Sequence, residues 1–117
     1  MFYSCSGLRE GPELPATILA EWCYDSMFKY CSSLTTAPEL LAMDLADGCY
    51  CSMFCGCASL TTTPVLPAMK LSYECYYDMF AGCTGLTVAP LLPATILANG
   101  CYAGMFRFCE FTIAPVL

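Results

Sequence analysis

Eleven cysteines and seven methionines stand in a chain of 117 residues that contains no histidine. Sulfur is therefore the main chemistry on offer: thiolates and thioethers select soft ions such as Cu(I), and paired thiols form disulfides in oxidising compartments. The spacing is regular. Cys23, Met27 and Cys31 stand four residues apart, and the trio returns as Cys49, Met53 and Cys57, as Cys75, Met79 and Cys83, and as Cys101, Met105 and Cys109. Each trio is a candidate soft-metal face. Cys51 and Cys55 add a pair that offers a separate site or a crosslink. No C-x-x-C pair is present, which weakens a zinc or dithiol redox reading. Without histidine, a serine or cysteine nucleophile lacks its usual base. The carboxylates Glu10, Glu13, Glu39, Asp44, Asp47 and Glu74 fall at variable positions and suit solvated turns better than an acid–base pair. The chain reads as non-enzymatic, with no cofactor expected.

The ordinary alternative for the sulfur is packing, because free cysteine is among the most buried residue types and behaves as a small hydrophobe. Cys5, Cys31, Cys57, Cys83 and Cys109, with Phe2, Phe28, Phe54, Phe80 and Phe106, then form a structural ladder. The phase supports this reading. The first cysteine of each trio falls at 23, 49, 75 and 101, a period of 26, and a fixed period in this range marks a repeat architecture. Units begin near Met1, Met27, Met53, Met79 and Met105, so residues 1–117 read as a single array of about four and a half units, a segment of a longer chain.

Each unit has two halves. The first is C-Y-x-x-M-F-x-x-C, whose apolar residues at i, i+4 and i+8 predict a short helix. On a helix Cys23 and Cys31 lie about 12 Å apart, beyond the ~7 Å that a disulfide spans. The second half is L-T-x-A-P-x-L-P-A-x-x-L-A, clearest from Leu86 to Ala98. Its prolines exclude a helix interior and predict a short strand ending at the first proline. Leu34, Ala37 and Leu40 are expected inside. Thr35, Thr61, Thr87 and Thr112 form a column on the strand face, and Tyr24, Tyr50, Tyr76 and Tyr102 form another. Both columns are candidate contact faces, although threonine is common on exposed strands and tyrosine at packed interfaces. One residue is missing from the repeat near Glu110 and Phe111. The fold expected is an α/β repeat solenoid, leucine-rich-repeat-like, with one short strand and one short helix per unit and parallel stacking.

Composition narrows the partners. The net charge is −6, and the four bases, Arg9, Lys29, Lys70 and Arg107, are scattered. Nucleic acid needs clustered Lys and Arg, so it is excluded, as is an anionic membrane surface. No apolar run reaches the ~18 residues of a membrane helix; the nearest, Val88 to Ala98, is broken by Pro90 and Pro93. Charged residues are 12% of the chain, about half the usual share, which implies either an unusually buried chain or exposed apolar surface that expects a neighbour. That neighbour is a protein or glycan ligand, or another copy of the chain assembling into filaments or sheets.

Met53-Phe54-Cys55-Gly56-Cys57-Ala58-Ser59-Leu60-Thr61 and Met79-Phe80-Ala81-Gly82-Cys83-Thr84-Gly85-Leu86-Thr87 resemble the M-F-x-G-C-x-S-L-T core of the bacterial surface protein 26-residue repeat, a BspA-like leucine-rich repeat family. Period and motif both agree, from Met1 to Leu117. The resemblance implies a right-handed repeat fold on cell-surface or secreted proteins, with a role in adhesion. The extended half departs from the commoner family pattern, carrying A-P-x-L-P-A-T-x-L-A where L-D-L-S and F-D-T-S segments are usual.

Overall fold

Left-handed residues at every fourth position decide the local structure. They fall at Trp22, Ser26 and Tyr30, at Gly48, Ser52 and Gly56, at Glu74, Asp78 and Gly82, and at Gly100, Gly104 and Phe108, with φ between +50° and +75°. An α-helix cannot propagate through residues of that hand. The chain instead runs through tandem turns over 21–30, 47–56, 73–82 and 99–108 in the computed structural model, which describes residues 2–109. Odd-numbered N–H groups close the turns locally: Cys23 donates to the Ala20 carbonyl, Asp25 to Trp22, Met27 to Tyr24, Lys29 to Ser26 and Cys31 to Phe28. Every second turn has the left-handed residue at its third position, as a type II turn requires.

Even-numbered N–H groups point the other way, to the next unit. Trp22 donates to Asp47, Tyr24 to Cys49, Ser26 to Cys51, Phe28 to Met53 and Tyr30 to Cys55, at 2.7–3.0 Å. The same ladder runs on from Gly48 to Tyr73 and from Glu74 to Asn99. Each turn run therefore satisfies half its donors within itself and half against its neighbour, so the rungs stack in parallel at the 26-residue register and few buried polar groups are orphaned.

The side chains follow a two-in, two-out pattern. In the second run Cys49, Tyr50, Met53, Phe54 and Cys57 all point inward and are 0–2% exposed. The extended half closes the core from the other side with two leucine columns: Leu34, Leu60 and Leu86, and Leu14, Leu40, Leu66 and Leu92. Ala37 packs partly buried against them. Pairing there takes the form of isolated parallel bridges, among them Glu10 with Thr36 and the continuous series Ile18, Asp44, Lys70 and Ile96. Between the bridges, no backbone hydrogen bond among the described residues begins or ends within 37–43, 61–68 or 89–94, because proline supplies no donor and ends ladder pairing.

The expected α/β solenoid, with a helix and a strand in every unit, is thus corrected. No helix forms among the described residues, and the strands shrink to single-residue bridges. The physical reason lies in the period. Tandem turns advance in steps of four residues, which over two steps matches the i, i+4, i+8 spacing of a helix face. The molecule is compact, with a radius of gyration of 12.8 Å and extents of 34 × 30 × 18 Å, close to the ~13 Å of an ordinary globular domain. The missing residue near Glu110 and Phe111 lies outside the described residues.

Candidate functional site

The closing cysteine of each trio is held by a carbonyl one rung away. The Cys57 thiol donates to the Phe28 carbonyl at 3.1 Å, Cys83 to Phe54 at 3.0 Å, Cys109 to Phe80 at 3.0 Å and Cys31 to Phe2 at 2.8 Å. Each of these carbonyls already accepts a turn N–H: Cys31 donates to Phe28, Cys57 to Phe54 and Cys83 to Phe80. The thiol thus fills the second lone pair of an acceptor that carries the fold. Burial, helped by the neighbouring thiols, pushes Cys57 up to about 12 from the ordinary 9.0. Burial likewise pushes Cys83 up.

Two of the opening cysteines, Cys49 and Cys75, are fully buried as well. Burial pushes Cys49 to about 12 and Cys75 to about 11. A soft-metal site or a nucleophile needs the thiolate, and these positions favour the protonated thiol. Met53 and Met79 are fully buried, and Met27 and Met105 nearly so. Among the described residues no three or more Cys, Asp or Glu side chains converge as a metal-holding group, and all eleven cysteines are free thiols. Cys23 and Cys5 are exposed, and Cys55 and Cys109 are half-buried. Cys51 sits 3.8 Å from the Ser52 hydroxyl, and burial raises it to about 11.

The aromatic columns are continuous stacks. Phe2, Phe28, Phe54, Phe80 and Phe106 lie with ring centroids 5.6–6.1 Å apart and planes within 6° of parallel. Tyr24, Tyr50, Tyr76 and Tyr102 stack at 5.9–6.1 Å. Both spacings fall in the range where offset stacking is favourable. Tyr50 and Tyr76 are each 2% exposed, so the middle of that column faces the core rather than a ligand. Thr35, Thr61 and Thr87 are exposed, and the Thr35 hydroxyl donates to the Arg9 carbonyl at 3.2 Å. Thr112 lies outside the described residues.

What sequence reasoning missed is the proline corner. Successive rungs leave three grooves there, of about 400, 400 and 210 Å³. The first lies between Pro12, Glu13, Pro38 and Glu39, the second between Pro38, Leu41, Pro64 and Val65, and the third between Pro64, Val65, Pro90 and Leu91. The signal was present as phase: Pro12, Pro38, Pro64 and Pro90 share one column. Beside them, Glu13 and Glu39 give way to Val65 and Leu91, the last two 79% and 73% exposed. The row is acidic at one end and apolar at the other.

In comparisons with known proteins, no family model, curated protein or solved structure matches this chain. The likeness to the 26-residue surface repeat rests on its motif and period alone.

Proposed function

We propose that this protein is a non-enzymatic binding module of the bacterial surface, whose stacked rungs present an extended face to a protein partner. The observation that carries the reading is the row of grooves along the proline corner, repeated at the rung spacing and lined by proline and aliphatic side chains. Such walls suit aliphatic side chains of an extended polypeptide better than a glycan, which needs convergent polar groups to replace its hydration. Glu13 and Glu39 at one end favour a partner with a basic residue there. The surface location follows the motif resemblance. The thiol ladder supplies the scaffold that holds the grooves in register, which gives the sulfur a role without a metal.

The test uses the whole chain against two probes: an array of proline- and aliphatic-rich peptides with and without a flanking arginine, and a glycan array. Binding to arginine-flanked peptides, lost in the V65D/L91D variant, is expected. Both side chains are exposed, so the variant should keep the fold. Binding to glycans alone, or peptide binding unchanged by V65D/L91D, overturns the proposal.

A further inference from the structure

We infer that a second copy of this chain docks, antiparallel, on the face that carries Ile18, Asp44, Lys70 and Ile96. These four residues form one column, joined by the parallel bridges Ile18–Asp44, Asp44–Lys70 and Lys70–Ile96. All four are exposed. The neighbouring column, at the bend just before each bridge, is Thr17, Met43, Met69 and Thr95, and it is exposed as well. Ile18 is 84% and Ile96 56% exposed, and Met43 and Met69 are about half exposed at 51% and 44%. Apolar side chains clustered at that exposure mark an interaction surface.

The order along the columns identifies the partner. Read down the stack, one column is isoleucine, aspartate, lysine, isoleucine, and the other is threonine, methionine, methionine, threonine. Reversal leaves the second unchanged and exchanges only the charges of the first. A two-fold axis along the rung direction, passing between the rungs of Asp44 and Lys70, therefore sets Asp44 against Lys70 of the second copy. The same axis sets Lys70 against that copy's Asp44, Ile18 against its Ile96, and Met43 against its Met69. This is the self-complementary pattern of an isologous interface. Both copies share one rung spacing, so the match holds over all four rungs.

Charge selects this arrangement over the parallel one. With the axis along the stack, Asp44 would meet Asp44 and Lys70 would meet Lys70, and like charges brought together cost several kcal/mol. The antiparallel arrangement also turns the Glu13 and Glu39 end of each copy toward the Val65 and Leu91 end of the other. Both central charges are available for the contact. Among the described residues the one ion pair joins Arg107 to Asp78, so Asp44 and Lys70 are not paired with each other although they sit on adjacent rungs.

The decisive experiment is a charge-swap series on the whole chain without added peptide, read by sedimentation equilibrium. The wild type should dimerise. D44K and K70D alone should each weaken the dimer by at least ~10-fold, and D44K/K70D should restore it. An equimolar mixture of D44K and K70D should form a heterodimer, because every charge in one then faces its opposite in the other. Mixing separates the contact between copies from any effect inside the chain, since a fold defect in either variant is not repaired by the other. I18D, with circular dichroism unchanged, should give monomer. A wild type that stays monomeric, a dimer indifferent to D44K, or a mixture that stays monomeric each overturns the inference. None of these outcomes depends on whether the proline grooves bind a peptide.

Discussion

At the scale of single residues, the unusual feature is a thiol used as a hydrogen-bond donor in the core. Cys83 is fully buried and donates to Phe54. Replacing it by alanine removes that bond and leaves a small void. C83A should cost about 1–3 kcal/mol, measured by urea unfolding. Thiol labelling should divide by burial: Cys5 and Cys23 react in the folded protein, while Cys31, Cys57, Cys75 and Cys83 wait for unfolding. The raised thiols also set an alkaline limit. In the unfolded chain they lose their protons near 9.0, whereas folded Cys49 and Cys57 hold them to about 12. The unfolded state therefore binds fewer protons in that window, and stability falls as pH rises through it. Urea midpoints should be level below pH ~9 and decline from there toward pH ~12. A midpoint flat across that window would exclude protonated thiols as the basis of the ladder. The inward sulfur face was legible from its spacing. The acceptor was not, because a carbonyl 29 residues earlier in the chain becomes a neighbour only once the rungs stack.

At the scale of the element, the turn run replaces the helix, and its glycines test the difference. Gly82 and Gly56 both have positive φ, +72° and +75°. A side chain at Gly82 would meet nothing nearer than 3.7 Å, whereas at Gly56 it would strike the Tyr30 ring. G82A should therefore show the backbone cost alone, ~1–2 kcal/mol, and G56A should cost more, both read by urea unfolding. On a helix the order would differ, since alanine in an interior turn would stabilise it. The sequence hinted at the answer through serine, aspartate and glycine at every fourth position. Trp22, Tyr30 and Phe108 mask the hint, since none of them is a residue that readily adopts a left-handed conformation. The ladder holds Trp22 and Tyr30 there: Trp22 donates to Asp47 and lies over Gly48, and Tyr30 donates to Cys55 and lies over Gly56.

At the scale of the whole molecule, stability is built rung by rung. Deleting 47–72 joins Ala46 to Tyr73 and keeps every column in phase. That variant should fold and unfold cooperatively, with a smaller denaturant m-value in keeping with its smaller buried surface. Deleting 47–59 removes half a period and sets turn runs against proline corners, so the cooperative transition should be lost. Retained folding in the half-period deletion would show that register is not what holds the rungs together.

What the sequence determined by itself is the period, the phase of each column and which columns are apolar. Those follow from residue type and spacing, and they suffice to bring Phe28, Phe54 and Phe80 together. The tertiary structure decided the hand of the backbone at every fourth residue. A four-residue turn step and a helical turn bury the same side chains over so short a run, and they differ in where alternate N–H groups point. Only the neighbouring rung, by accepting those N–H groups, makes the turn ladder the better solution. The structure also decided which surfaces are open. The grooves at the proline corner and the isoleucine–aspartate–lysine–isoleucine column exist only between rungs, and no single repeat contains either.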